Sequence, residues 1–355
     1  MRIGFLIYGD INTISGGYLY DRKIIEYLRS QGDKVTVINL KQNNYFQDIL
    51  SNQPESIINT SDFDILIEDE LIHPSVFKTN RILNKKLPII SLVHLFRSFS
   101  TQPNYINWLY QFIEKKYLTS VNGIILNSKS TQDLAKQLMR GNLSDNIIAL
   151  PAGNNFTNSN LDELYSLKRL APQPLKVLYI GNVIPQKGLH ILLHALSELK
   201  TGDFKLSITG RTDIDSAYVK KIHSIIKKHH LFDQIEFTGP LLGDVLPDHY
   251  LNHHIMVLPS ENEAYGIVYL EAMQFGLPVI GTTSGGAKEI IKHGKNGFLI
   301  PPGNIKQLAA HLANLINMPD DLTVMGKNAI HSYKQHPTWN NTGELIREFL
   351  LKFAS

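Results

Sequence analysis

The sequence predicts an α/β protein built of two Rossmann-like domains. Short apolar runs of strand character alternate with helix-period segments along the whole chain. The first unit runs from a buried-strand pattern at Arg2–Tyr8, through a turn-rich loop at Asp10–Gly17 and a helix at Tyr18–Gln31, to a strand at Lys34–Leu40. A second set of alternating elements opens at Lys176–Gly181, and 355 residues suit about two domains with ample core.

In the first half, Phe63–Ile67 is a strand running into Glu68-Asp69-Glu70. Pro88–Val93 is another, and it ends at His94, the strand end where α/β sheets place their chemistry. Asn107–Leu118 is an amphipathic helix carrying Trp108, Leu109, Phe112 and Ile113 with Lys115-Lys116; its apolar face suits either the sheet or a membrane surface, and the sheet is the commoner use. Gly123–Asn127 is a strand, Ser128–Met139 a helix capped by Ser128 or Ser130, and Ile147–Leu150 the last strand of this half. A polar break at Pro151–Asn155 leads through Pro172-Gln173-Pro174, which reads as the inter-domain linker.

In the second half, the strand Lys176–Gly181 passes into Gly181-Asn182 and on to Lys187-Gly188, just before a helix at Leu189–Leu199. A lysine at a helix N-terminus opposes the dipole, and a bound anion would explain it. The strand Lys205–Thr209 is followed by Gly210 and Arg211, and the strand Ile235–Thr238 by Gly239-Pro240-Leu241. Ile255–Leu258 is a strand that stops at Pro259-Ser260; an acidic loop follows, and Tyr265-Gly266 turns the chain into a helix ended by Gly276 and Pro278. The first amides of that helix, around Tyr265, Gly266, Ile267 and Val268, form a ready anion site. Glu263 precedes the turn and Glu271 lies eight residues on; two carboxylates beside an anion site make sense if the anion is a diphosphate between two polyols, whose hydroxyls they accept. Helices at Asn304–Ile316, Thr323–Lys334 and Trp339–Phe353 close the chain.

The stretch from Pro259 to Val279, with Glu263-x7-Glu271 inside PSxxExYGxxxxEAxxxGxPV, resembles the donor site of retaining GT-B glycosyltransferases of family 4 (glycosyl transferases group 1) type. The resemblance is specific from Gly181 to Gly297 and looser before Pro88. It implies a GT-B fold, two Rossmann-like domains facing across a cleft, with the C-terminal helix crossing back to complete the first. The implied domains are 1–165 with 339–355 on the acceptor side and 172–335 on the donor side. Gly16 and Gly17 match the glycine pair that faces donor phosphates and acceptor, and His94 matches a histidine that contacts the donor sugar. The family pattern Gly-Arg-x4-Lys-Gly is met by Gly181 and Lys187, with Asn182 where the arginine belongs; Arg211 is the candidate replacement. Leu241 falls in the turn that borders the nucleotide base. Ser284-Gly285-Gly286 and His293–Leu299 also match the second-domain pattern. The implied activity is metal-independent transfer of a sugar, with retention, from a nucleoside-diphosphate sugar to a hydroxyl acceptor. His94 and Glu263 would position the sugar, Lys187 would stabilise the departing diphosphate, and no further cofactor is required.

Other features bound this reading. A net charge of +3 without a long Lys/Arg run does not argue for nucleic acid, and suits anionic donors or a lipid surface. The absence of cysteine excludes disulfides and thiolate metal sites. Asp62-x-Asp64 and Asp213-x-Asp215 spell a metal-binding motif of other glycosyltransferases but read as solvated or turn-forming pairs, and His253-His254 lacks further ligands at metal spacing. Arg97 could meet a phosphate, though a solvated surface position is the ordinary use. The first apolar run is too short for a signal peptide and none is long enough to span a bilayer, so the expectation is a cytoplasmic protein, with peripheral contact to the inner membrane face left open. Three alternatives stand beside the transferase: a non-catalytic sugar-nucleotide-binding subunit, suggested by Asn182; a GT-B epimerase or hydrolase; and a Rossmann oxidoreductase, disfavoured because no G-x-G-x-x-G follows the first strand.

Overall fold

A computed structural model describes residues 1–51, 58–99, 104–156, 174–241, 243 and 245–354. The chain divides into two compact units, Met1–Ala152 with Pro337–Ser355, and Gly153–His336. Most of the expected linker, 157–173, lies outside the described residues.

The first unit is built on a six-stranded sheet: β1 (Arg2–Tyr8), β2 (Lys34–Leu40), β3 (Ile65–Asp69), β4 (Ile89–Val93), β5 (Gly123–Leu126) and β6 (Asp145–Ile148), in the order β2-β1-β3-β4-β5-β6. Every pairing is parallel. Strands covered on both faces read as continuous apolar runs, which is why Ile3, Phe5, Leu6 and Ile7 of β1 are all fully buried. The order reverses between β1 and β3, so the strand ends on either side of that point open a crevice.

The expected glycine loop is shorter than its sequence pattern. The first helix is Gly16–Ser30, because the Ser15 hydroxyl accepts from the Tyr18 amide and caps it two residues early. Gly16 and Gly17 are therefore its first turn. β3 begins two residues later than expected, since Asn59 caps a short turn over Thr60–Asp62. The helix at Asn104–Leu118 corrects a second expectation. It buries Tyr110, Ile113, Tyr117 and Leu118, while Trp108 is 68% exposed and Phe112 is 46% exposed.

The last helix, Trp339–Leu351, packs in the first unit and starts from a capping box at Thr338 and Asn341. The Thr342 hydroxyl donates to the Leu150 carbonyl, and Trp339 meets Tyr20 edge to face. Asp33 accepts from both the chain's amino terminus and Arg347, each at 2.7 Å. Gly343 lets this helix reach the first one, since a Cβ there would lie 2.2 Å from the Tyr27 ring.

The second unit repeats the plan with β7 (Leu175–Ile180), β8 (Phe204–Thr209), β9 (Ile235–Gly239), β10 (Ile255–Val257), β11 (Val279–Thr282) and β12 (Gly297–Ile300), ordered β12-β11-β10-β7-β8-β9 and again all parallel. Its order reverses between β7 and β10. The two D-x-D pairs serve structure: Asp64 chelates Arg2, Asp213 pairs with Arg211, and Asp215 caps the helix Ser216–Lys228. His253 and His254 are held by Ser207 and by the Lys176 amide.

Among the first unit's buried carboxyls, five are pushed up by their surroundings. Burial pushes Asp21 up to about 8, and Glu68, Asp69 and Glu114 up to about 7; Glu70 is raised well above the ordinary range by burial and by the neighbouring Asp69. Groups raised on folding contribute stability that is complete below the ordinary carboxyl range and lost as pH climbs through their folded values. Asp64, pulled down by hydrogen bonds from Arg2, acts only in the acid range below. Buried His73 and His253, lowered to about 4, act in the opposite sense up to the ordinary imidazole range. Unfolding midpoints in urea should therefore fall between about pH 6.5 and pH 8; a flat profile there would contradict these buried acids. Gly343→Ala should destabilise the first unit by about 1–3 kcal/mol through overpacking against Tyr27, read from the same denaturation curves, and an unchanged midpoint would contradict the helix contact.

Candidate functional site

The switch point of the second sheet gathers the predicted residues. β7 ends at Ile180, and Gly181-Asn182 leads into a single 3-10 turn at Pro185–Lys187 and then the helix Leu189–Leu196. β10 ends at Val257, and the following loop runs to Gly266 and the helix Ile267–Gln274. The two loops touch. The Glu261 amide donates to the Gln186 carbonyl, and a Cβ at Gly188, whose φ is +69°, would lie 2.1 Å from the Pro259 carbonyl oxygen. Only glycine fits there.

Across that contact Lys187 Nζ donates to Glu263 Oε2 at 2.7 Å, and Ser260 Oγ donates to the same oxygen at 3.1 Å. The side chains are 28% and 13% exposed, so solvent still reaches the pair. The Gly286 amide donates to the Glu263 carbonyl, which joins the loop to the turn after β11. That places Gly285-Gly286 against the same loop.

The helix after the Tyr265-Gly266 turn begins at Ile267. Gly266 takes a φ of +98°, and with no side chain it offers no cap, so the helix N-terminus lacks a side-chain acceptor. Tyr265 is buried with its hydroxyl near His336, so only its backbone lies at the helix tip. Glu271 is also buried. Asn155 Nδ2 donates to Oε1 at 2.6 Å and the Tyr250 hydroxyl to Oε2 at 2.7 Å, while burial raises its pKa. Neither partner is marked by a sequence motif; Asn155 sits in the polar break before the domain, and its adjacency to a glutamate 116 residues away is a tertiary fact.

Arg211 has its backbone in place, since its carbonyl accepts from the Val183 amide beside Asn182. Its guanidinium, however, forms a two-pronged pair with Asp213 at 2.9 and 2.8 Å. Leu241 is half-buried at the end of the turn after β9, and residues 242 and 244 beside it lie outside the described residues.

In the first unit, Gly17 lies against the His94 ring, with a Cβ position 3.4 Å from Cδ2. His94 is 8% exposed, and its amide donates to Glu70 Oε2 at 2.8 Å. Its Nε2 is 2.9 Å from Asp21 Oδ1, and Tyr20 stands edge-on to the ring. Asp21 and Asp69 were not singled out from the sequence; the Glu68-Asp69-Glu70 run at a strand end and an acid one helical turn after Gly17 were the available signals. Arg97 is not simply solvated: it stacks on the rings of Tyr45 and Tyr110, about 5 Å from each centroid.

Residues 166–332 match the glycosyl transferases group 1 family. D-inositol 3-phosphate glycosyltransferase of Streptomyces bingchenggensis is 32% identical over 169 residues, covering 46% of this chain and 37% of that protein. A GDP-mannose-dependent phosphatidylinositol monomannoside mannosyltransferase of Mycobacterium tuberculosis is 27% identical over 197 residues, 53% of this chain and 50% of that protein. The chain thus spans half or less of the length of these curated relatives. Among solved structures, sucrose-phosphate synthase of Thermosynechococcus elongatus aligns with a TM-score of 0.82 at 16% identity, covering 99% of this chain and 98% of that one. Anabaena HepE in complex with UDP and glucose aligns at 0.78 with 21% identity, covering 99% of each. Those alignments run through both six-stranded sheets, so the fold is GT-B, and the match to the glycosyl transferases group 1 family lies in the second unit's part of the chain.

Proposed function

We propose that this protein is a retaining glycosyltransferase that moves a sugar from a nucleoside-diphosphate sugar to an acceptor hydroxyl. The observation that carries the proposal is the Lys187–Glu263 pair at the switch point, beside an uncapped helix N-terminus. A diphosphate outcompetes a single carboxylate for a lysine because it brings more charge and can also take the helix amides. Lys187 then grips the diphosphate, and Glu263, released, accepts hydroxyls of the sugar. Glu271 accepts ribose hydroxyls from its buried seat between Asn155 and Tyr250.

In the reaction the bond between the anomeric carbon and the diphosphate oxygen breaks, and the acceptor oxygen bonds to that carbon on the same face. The acceptor proton passes to the departing diphosphate. Negative charge grows on the leaving group, where Lys187 and the amides of Ile267 and Val268 are already oriented, and such preorganised donors lower the barrier. The reading needs neither a protein nucleophile nor a metal. His94 in the first unit supplies a further contact to a substrate hydroxyl. With Asn182 where a second cation belongs and Arg211 held by Asp213, less positive charge faces the leaving group, which favours as second reading a subunit that binds sugar nucleotides without turning them over.

The acceptor side includes a surface suited to anionic lipid. Trp108 and Phe112 stack at 6.0 Å on the exposed face of their helix, Lys116 lies over the Phe112 ring, and Lys115 adjoins them. No helix among the described residues is long and apolar enough to cross a membrane. Peripheral contact with the inner face of a membrane is the placement this surface supports.

Thermal-shift assays with UDP-, GDP-, ADP- and TDP-sugars should reveal one stabilising donor, and product analysis with and without acceptor separates transfer from hydrolysis or epimerisation. Binding without turnover across an acceptor panel would overturn the transferase reading. Lys187→Ala should lower kcat by about 10²–10³-fold with a smaller change in KM. Glu271→Gln, which keeps the packing, should raise the donor Kd by about 10-fold or more at little change in kcat; equal kcat in Lys187→Ala and the unmutated enzyme at saturating donor would contradict the lysine's role. Trp108→Ala with Phe112→Ala should reduce cosedimentation with vesicles containing phosphatidylglycerol, and unchanged binding would remove the membrane contact.

A further inference from the structure

The first unit holds, beside His94, two buried acids for which the transfer chemistry provides no role. Asp21, Asp69 and His94 each bring one polar side-chain atom within 4.8 Å of the others. Asp21 and Asp69 are 0% and 1% exposed. They come from three different elements: the helix Gly16–Ser30, the end of β3 and the residue after β4. Asp69 Oδ1 accepts from the Leu71 amide, and Asp21 Oδ1 faces His94 Nε2 at 2.9 Å. Asp21 Oδ2 is buried with no donor directed at it, although the Asp69 carboxyl is within hydrogen-bonding reach of the Asp21 side chain.

Two carboxylates cannot face each other in a dry interior while both are charged. Either a proton or a cation must lie between them. The proton satisfies every atom. With Oδ2 protonated, Asp21 donates to Asp69 and still accepts at Oδ1 from an N–H of His94. A cation would have only these three buried protein ligands, fewer than Zn²⁺ takes in a closed site and too few for Mg²⁺ without several waters.

We propose that Asp21, neutral and hydrogen-bonded to Asp69, is a positioning residue that fixes His94 as its Nε2–H tautomer and so presents Nδ1 as a hydrogen-bond acceptor for a substrate hydroxyl. Among the described residues nothing else bonds to Nδ1, and the side chain keeps 11% of its surface exposed. Burial raises both carboxyls and lowers the imidazole, so all three groups favour the neutral arrangement. The other charged or titratable groups nearby are Glu70, which accepts the His94 amide; Arg22, which acts on Asp21 from the next position; and Tyr18, whose hydroxyl is already given to the Tyr8 carbonyl. Tyr20 closes the remaining side with its ring. Only the identity of the hydroxyl rests on the transferase reading; the tautomer does not.

The test needs no substrate at first. In the full-length protein with ¹⁵N-labelled histidine, the imidazole nitrogen shifts of His94, assigned by their loss in His94→Gln, should report the neutral Nε2–H form at neutral pH. Asp21→Asn has the shape and donor–acceptor pattern of the neutral acid: its amide donates to Asp69 and its carbonyl accepts from His94. It should keep that tautomer and rescue most of the activity that Asp21→Ala loses, a loss of about 10²-fold in kcat with donor binding by thermal shift retained. An imidazolium or Nδ1–H signal in the unmutated protein, Asp21→Asn as damaging as Asp21→Ala, or a stoichiometric bound metal by elemental analysis would each overturn the proposal. If the tautomer is as stated and the unmutated protein transfers no sugar, the transferase reading fails and the positioning role stands.

Discussion

A lysine and a glutamate 76 residues apart in the chain share one hydrogen bond, and it joins the two loops at the second sheet's switch point. Lys187 and Glu263 project from loops after β7 and β10, the two strands at which the sheet order reverses. A cation at the start of a helix is unfavourable alone. Together Lys187 and Glu263 neutralise one another at the place where a Rossmann-like sheet opens to ligand. Because solvent reaches both side chains, the pair can be exchanged for a ligand without the cost of stranding a fully buried charge.

The backbone around the pair explains why it holds its geometry. Gly188 lets one loop lie on the Pro259 carbonyl, and the Glu261 amide closes the same contact from the other side. Thr282 Oγ1 donates to the Ser260 carbonyl and the Tyr269 hydroxyl to the Leu258 carbonyl, so the loop after β10 is tied to β11 and to its own helix. A site held by buried side-chain-to-backbone bonds is ordered before any ligand arrives, which is the condition for electrostatic preorganisation. The first unit applies the same rule to a different end: His94 sits at a strand terminus, with its amide on Glu70 and its ring on Asp21.

Much of this was legible in the sequence because it is local. The alternation of apolar runs and helical segments marks both sheets; Lys187, Glu263 and His94 each sit beside a strand or helix end, and Glu271 was found by its spacing from Glu263. Boundaries were less legible. The Ser15 cap drew Gly16 and Gly17 into a helix that was expected to start at Tyr18. The partners could not be read at all. That Asp213 takes Arg211, that Asn155 and Tyr250 share Glu271, and that Asp21 reaches His94 across 73 residues are decided by which elements the fold lays side by side. The half-exposed helix at Asn104–Leu118 was ambiguous for the same reason: a periodic apolar face does not say how much of it the sheet covers.

The most direct measurement is a crystal structure with a nucleoside diphosphate bound. Lys187 Nζ should have left Glu263 for a diphosphate oxygen, with the phosphate oxygens on the amides at Ile267 and Val268 and Glu263 free toward the vacant sugar position. A diphosphate bound elsewhere, with Lys187 still on Glu263 at its present 2.7 Å, would contradict the account.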